Sequence, residues 1–177
     1  MEFRLFGEEE KQRYRSDILG MMQEADQDFV PPLSARTSSV QKDLANAVSS
    51  ENGIALYYEE MSKQEILGAF EGELLLAFVS FRTNYSNDVI GKETFPNIYM
   101  STLILKSIAK GKGLTMKLYD HLFHVLYPQC DVYTRTWSTN APHSRILSKF
   151  SFEEIARFVN DRGEGIDTVY FRKGRRE

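Results

Sequence analysis

The spacing of apolar and polar positions changes along the chain, and each change predicts an element. "MEFRLF" alternates and is short, which predicts a first strand over residues 1–6. From residue 8 to about 28 the period is helical, because Tyr14, Ile18, Met21 and Ala25 recur at i, i+4, i+7 and i+11. "DFVPPLSARTSS" closes that helix with two prolines and opens a loop. A second helix is predicted over residues 40–48 and a third over residues 54–63. "EILGAFEGELLLAFVSFRTNY" then reads as two strands around a turn at Glu71 and Gly72. After the polar loop "SNDVIGKETFPN" comes a third strand of this group, "IYMSTLIL". "LTMKLYDHLFHVL" is a helix with Leu114, Leu118, Leu122 and Val125 on its buried face and Lys117, Asp120, His121 and His124 off it. "CDVYTRTW" is a strand, "NAPHSRILSKF" a helix, and "SFEEIARFV" and "GIDTVYFRK" are closing strands around "NDRGEG". The order is mixed α+β and not the strict alternation of a doubly wound sheet.

Composition narrows the class. The 177 residues suit a single domain, 1–177, with a substantial core. A net charge of -3 lacks the basic excess of a general nucleic-acid binder. No apolar run approaches the roughly 18 residues that cross a membrane, and the N-terminus has no apolar signal core. The lone Cys130 cannot form an internal disulfide, which fits a reducing compartment. The expectation is a cytoplasmic protein without nucleic-acid or membrane partners, for which a homodimer is an allowed assembly. No Cys/His cluster has metal-ligand spacing, so no metal is expected.

The stretch "KSIAKGKGLTMKLYDHLF" carries the first chemistry. Gly111 and Gly113 stand between a strand and the start of a helix. A helix N-terminus presents unpaired N–H groups and a partial positive charge. A turn without side chains lets a phosphate approach those groups, and Lys110 and Lys112 add charge. The same tripeptide also reads as a tight turn with solvated lysines. Two common phosphate loops are excluded: GxxxxGK[ST] would need glycine where Lys106 stands, and GxGxxG would need it at Met116.

Residues 98–152, about a third of the chain, resemble the acyl-CoA-binding half of the GNAT superfamily of N-acyltransferases. There a strand leads to a loop written [Q/R]-x-x-G-x-[G/A], a helix, a further strand, an Asn-headed helix and a Gly-Phe strand start. Here the loop runs from Lys110 through Gly113 to Thr115, the asparagine is Asn140 in "STNAPHSRILSKFSF", and the last aromatic is Phe152. The departures are Lys110 for Arg or Gln, Thr115 for Gly or Ala, and Ser151 for the Gly before Phe152. Leu147 stands where many members carry the tyrosine that protonates the CoA thiolate.

The resemblance implies a mixed, mostly antiparallel central sheet flanked by helices, with a splayed central strand pair. Residues 97–152 would be the acyl-CoA core and residues 1–63 a helical acceptor side. It implies direct transfer of acetyl from acetyl-CoA to a primary amine of a small molecule. Leu103, Ile104 and Leu105 would pair with the pantetheine arm and supply an oxyanion donor. Gly111, Lys112, Gly113, Leu114, Thr115 and Met116 would hold the pyrophosphate beside Lys110, with Asn140 nearby. His143, Ser144 and Tyr133 are candidates for the missing proton donor, although each also reads as a solvated or core residue. Glu59, Glu60, Asp131, Tyr99 and Ser101 leave the general base unassigned.

Arg135 and Trp137 share one strand face and, with Arg36 from the proline loop, are candidate contacts to a substrate acid group and apolar body. Asp161, Arg162, Glu164 and Asp167 crowd one loop, read as a charged turn or a substrate lip. Two other functions stay open: an acyl-CoA-binding sensor without catalysis, and acetylation of a protein amine.

Overall fold

The computed structural model describes residues 1–175. Seven strands form one sheet: β1 (Glu2–Leu5), β2 (Glu65–Glu71), β3 (Leu74–Thr83), β4 (Asn97–Leu105), β5 (Asp131–Trp137), β6 (Glu153–Phe158) and β7 (Thr168–Lys173). Their spatial order is β1-β2-β3-β4-β5-β7-β6. Every neighbouring pair is antiparallel except β4–β5, which is parallel. Five α-helices flank it: α1 (Glu8–Arg13), α2 (Arg15–Ala25), α3 (Gly53–Met61), α4 (Leu114–His121) and α5 (Ala141–Lys149). This is the α+β arrangement expected from the sequence. Among the described residues, no helix is long and apolar enough to cross a membrane.

Alternation along the strands builds a core on each face of the sheet. Ile18, Met22, Tyr57 and Met61 of α2 and α3 pack on Ile66, Phe70 and Phe78. On the other face, Leu114, Leu118 and Leu147 of α4 and α5 pack on Leu67, Val79, Ile98 and Val132. A third, aromatic cluster joins Tyr99, Tyr133 and Tyr170 with Ile90.

The helix expected over residues 8–28 forms as two, α1 and α2, divided at Tyr14, and two other predicted features differ. No helix forms over residues 40–48; a single 3-10 turn, Leu44–Asn46, follows Asp43 in a left-handed conformation (φ 55°). Val48 is 82% exposed there, so a helix would have had little apolar face to bury. After α4 the chain widens into a π-turn over Leu122–Leu126. That extra residue shifts the phase: Phe123 is buried and Val125 is 60% exposed.

Candidate active site

β4 and β5 pair over only four residues each, from Asn97↔Asp131 to Met100↔Thr134. The Thr134 hydroxyl donates to the Met100 carbonyl at 3.1 Å, and beyond that point the ladder ends. A bulge helps to end it. Ser80 faces Thr102 and Phe81 faces Met100, so Ser101 is the extra residue. The bulge also reverses which residues of β4 meet which face, so that Ile104 joins the α2–α3 core while Leu103 and Leu105 pack toward the α4–α5 core. Lys106 N–H donates to the Leu76 carbonyl on the β3 side. Alternation therefore turns the N–H groups of Leu105 and Leu103 toward the gap beside β5.

The gap is part of a cavity of about 530 Å³. One wall is β4 over residues 100–105. Thr134, Arg135, Thr136 and Trp137 of β5 form the opposite wall. Lys110, Gly111, Thr115 and Tyr119 close one end, and Asn140, Pro142, His143 and Ile146 of α5 stand beside them. Asp28, Phe29, Arg36 and Ser39 roof the cavity, Asp28 reaching Lys110, and Arg162 joins them from the loop before β7. The proline segment is thus a packed roof and not a loose surface loop; Leu33 and Arg36 are buried within it.

At the glycine turn, Gly111 (φ +73°) and Gly113 (φ +72°) are left-handed, which is why side chains are absent. Gly113 is the N-cap of α4, and no side chain caps that helix. Its first-turn N–H groups remain available to an anion. Lys110 is held there by Asp28 at 2.9 Å. Thr115 lies buried in the cavity wall, so the β-branched residue that replaces the expected small one fits without closing the space. The side-chain-free turn and the gap-facing N–H groups of β4 both suit a long ligand with a phosphate end.

The candidate proton donors separate. His143 lines the cavity, and its Nε2 lies 2.9 Å from the hydroxyl of Tyr119. Burial lowers the imidazole to about 4, so it is neutral at pH 7. Burial also raises the phenol of Tyr119 well above its ordinary value, which keeps it protonated. Tyr119 carries no sequence motif. The one signal is its place at i+4 from Thr115, on the same helix face. Ser144 and Tyr133 do not line the cavity; Tyr133 is packed with Tyr99 and Tyr170. Leu147 is fully buried core.

The remaining candidates are placed as follows. Asn140 caps α5: its Oδ1 accepts from His143 N–H and its Nδ2 donates to Thr136. Lys112 and Gly113 are exposed at the turn, and Leu114 is buried in the core. Met116 lines a separate hollow beside Phe3 and His121. Of the acids, Glu59 pairs with Arg15, Glu60 with Lys63 and Asp131 with Arg172, all outside the cavity. Tyr99 is fully buried, while Ser101 faces the cavity with its hydroxyl buried and without a hydrogen-bond partner. Arg36, Arg135 and Trp137, spread over two distant segments, converge on one end of the cavity.

Comparison with descriptions of known families and with curated proteins finds no match to the sequence. Comparison with solved structures does. The chain is similar to yncA from Salmonella typhimurium, described as an acetyltransferase and solved with its cofactor acetyl-CoA (18% identity, 100% of this chain and 95% of that one, TM-score 0.67). It is similar to the ribosomal-protein-alanine N-acetyltransferase of Brucella melitensis (13% identity, 98% and 99% covered, TM-score 0.64). A protein from Desulfovibrio desulfuricans described as an acetyltransferase of the GNAT family matches as well (12% identity, 98% of each chain, TM-score 0.65). At such identities the likeness lies in the path of the backbone: the chain shares the fold of these solved structures, one of which is described as of the GNAT family.

Proposed function

We propose that this protein is an N-acetyltransferase that moves the acetyl group of acetyl-CoA directly to a primary amine of a small molecule. The observation that carries this reading is one continuous cavity. It joins the splay of β4 and β5 to the uncapped, glycine-led N-terminus of α4. When bound there, acetyl-CoA supplies an activated thioester carbonyl and a thiolate leaving group.

The chain's own groups would do the rest. The N–H groups at residues 111–116 would hold the pyrophosphate, with Lys110 beside them. The gap-facing N–H groups of Leu103 and Leu105 would bind the extended arm as an added strand and donate to the developing oxyanion. Tyr119 Oη, hydrogen-bonded to neutral His143, would give the departing thiolate its proton. Among the described residues, Asp28 is the one carboxylate in the cavity wall, and Lys110 occupies it. Deprotonation of the acceptor therefore falls to water and to the positive field of the nearby arginines, which favours the neutral amine. The roof over residues 26–39 supports a small acceptor over a protein chain.

Acetyl-CoA at about 100 times its Kd should stabilise the protein by about 2.7 kcal/mol, on the order of 5–10 °C in Tm for a chain of this size. Free CoA should act similarly, ATP much less, and thiol release should follow when an amine is supplied. Tyr119→Phe should keep acetyl-CoA binding and lose about 10²-fold in kcat. Absence of any shift with either CoA species would end the proposal. Binding without thiol release across a broad amine panel would instead identify an acyl-CoA sensor.

A further inference from the structure

Three guanidinium groups meet at the acceptor end of the cavity. Arg36 comes from the roof, Arg135 from β5, and Arg162 from the loop between β6 and β7. Arg36 and Arg162 are only 7% and 5% exposed. Buried arginines in proteins are ordinarily paired with acids. Among the described residues, none of these three makes an ion pair with a carboxylate.

Their partners are neutral. Arg36 Nε donates to the Pro31 carbonyl at 3.0 Å, and its Nη2 is buried with no partner. Arg135 Nη2 donates to the Ser39 carbonyl at 3.1 Å. Arg162 donates to the Val30 carbonyl at 2.8 Å and to the Thr168 hydroxyl at 2.9 Å. The nearest acid in sequence, Asp161, accepts from the Thr168 hydroxyl instead. Aromatic rings fix two of the guanidiniums. Arg36 lies 5.3 Å from the Phe29 ring, Arg162 lies 5.7 Å from Trp137, and the two rings are 5.8 Å apart.

This arrangement is costly without an anion. Burial lowers Arg36 to about 10. Burial, then repulsion from Arg36 and Arg135, lowers Arg162 to about 9. Arginine nevertheless stays charged at neutral pH, so what relieves the cost is a counter-charge brought by a ligand. The pyrophosphate is assigned to the N-terminus of α4 and to Lys110, and none of the three arginines belongs to that turn. Asp161 and Asp26 act on Arg162 and Arg36 from a distance without forming an ion pair, so two anionic groups match the three guanidiniums better than one.

We infer that the acceptor is an amino acid carrying a second acidic group, whose two anionic groups are bound by Arg36, Arg135 and Arg162 while its amine faces Ser101 and the splay. The inference rests on the acetyl-transfer reading for the role of the amine, but the anion site stands on its own geometry. Trp137 and Phe29 form the apolar flank against which the carbon chain lies, and Ser101 offers an unused hydroxyl where the amine would stand.

Titration calorimetry separates the two claims. Acetyl-CoA is titrated first, to test the donor site. Glutarate, which has no amine, is then compared with glutaramide, to test the anion site without chemistry. Thiol release is followed with glutamate, aspartate and 2-amino-4-phosphonobutyrate against glutamine, tyramine and spermidine. Glutarate should bind and glutaramide should not. The acidic amines should exceed glutamine in kcat/KM by at least about 10-fold, the scale of a desolvated charge pair. Rank order among the three acids reports whether carboxylate or phosphonate fills the second position. Arg36→Gln and the charge-conserving Arg162→Lys should each weaken glutarate by about 10-fold or more with acetyl-CoA affinity unchanged. The unchanged affinity also shows that the variants fold. Silent glutarate, or neutral amines that turn over as well as acidic ones, would overturn the inference even if acetyl-CoA binds. Silent acetyl-CoA with tight glutarate would overturn the transferase reading and leave the anion site standing.

Discussion

His143 shows how burial sets a residue's chemistry. Its ring is held at about 4 because burial disfavours the imidazolium. In the unfolded chain the same ring titrates near 6.5. Above that value both states are neutral and the residue contributes nothing to the pH dependence. As pH falls below about 6.5 the unfolded state takes up a proton that the native state refuses, so stability is lost progressively toward pH 4. At pH 5 the loss from this ring is about 1–2 kcal/mol. His143→Gln can keep a hydrogen bond to Tyr119 without a titrating ring. Urea unfolding at pH 7.5 and 5 should show a smaller loss for the variant than for the parent. Equal losses would mean that the ring is not shielded as described. The single residue also marks a limit of legibility. His143 was readable as a candidate because it follows Asn140 at the head of a helix. Tyr119, its partner at 2.9 Å, was not, since nothing local separates a cavity-facing tyrosine from a core one. Arg162 was legible as one of four charges in a loop read as a charged turn or a substrate lip, but its burial was not, since it rests on a carbonyl 132 residues earlier in the chain.

Among the elements, the end of α5 explains a departure that the sequence alone left unaccounted for. Ser151 stands where the resembling family has glycine, and its φ is 60°. The N–H of Ser151 donates to the Ser148 carbonyl and that of Phe152 to the Leu147 carbonyl, the two bonds of a Schellman cap. Leu147 and Phe152 pack in the same core, as that cap requires. The position therefore calls for a left-handed residue, and serine occupies it at a cost of about 1–2 kcal/mol. Ser151→Gly should recover roughly 1 kcal/mol, less than the full strain because glycine also gains entropy when unfolded. That is about 2–4 °C in Tm, checked by thermal unfolding. An unchanged or lower Tm would show that the serine conformation is not strained. Helices α4 and α5 were readable because glycine, asparagine and proline mark their starts locally. The helix expected over residues 40–48 does not form, although Val40, Leu44 and Val48 stand at the i, i+4, i+8 spacing of a helix face. The structure buries Leu44 and leaves Val48 in solvent.

For the whole molecule, the sheet is two units joined by a short seam. β3 and β4 pair over seven positions and β5 and β7 over six, but β4 and β5 over four. The seam and the site are the same place, since the cavity occupies the part of the β4–β5 boundary where no ladder forms. That feature was anticipated only through the resemblance, which implies a splayed central strand pair; the parallel β4–α4–β5 unit supplies the crossover helix such a pair needs. Where the ladder stops could not be anticipated, because it depends on the bulge at Ser101 and on the Thr134 hydroxyl reaching Met100. A ligand filling the gap would act as the missing ladder and couple the units. Hydrogen exchange with and without acetyl-CoA should therefore show new protection at the amides of residues 103, 105 and 111–116. β1, β2 and β6 at the periphery should exchange as before, apart from the uniform slowing that global stabilisation imposes on the slowest amides. Protection confined to α1–α3, with residues 103–116 unchanged, would place the ligand on the outer face of the helical side and remove the seam from the description of the site.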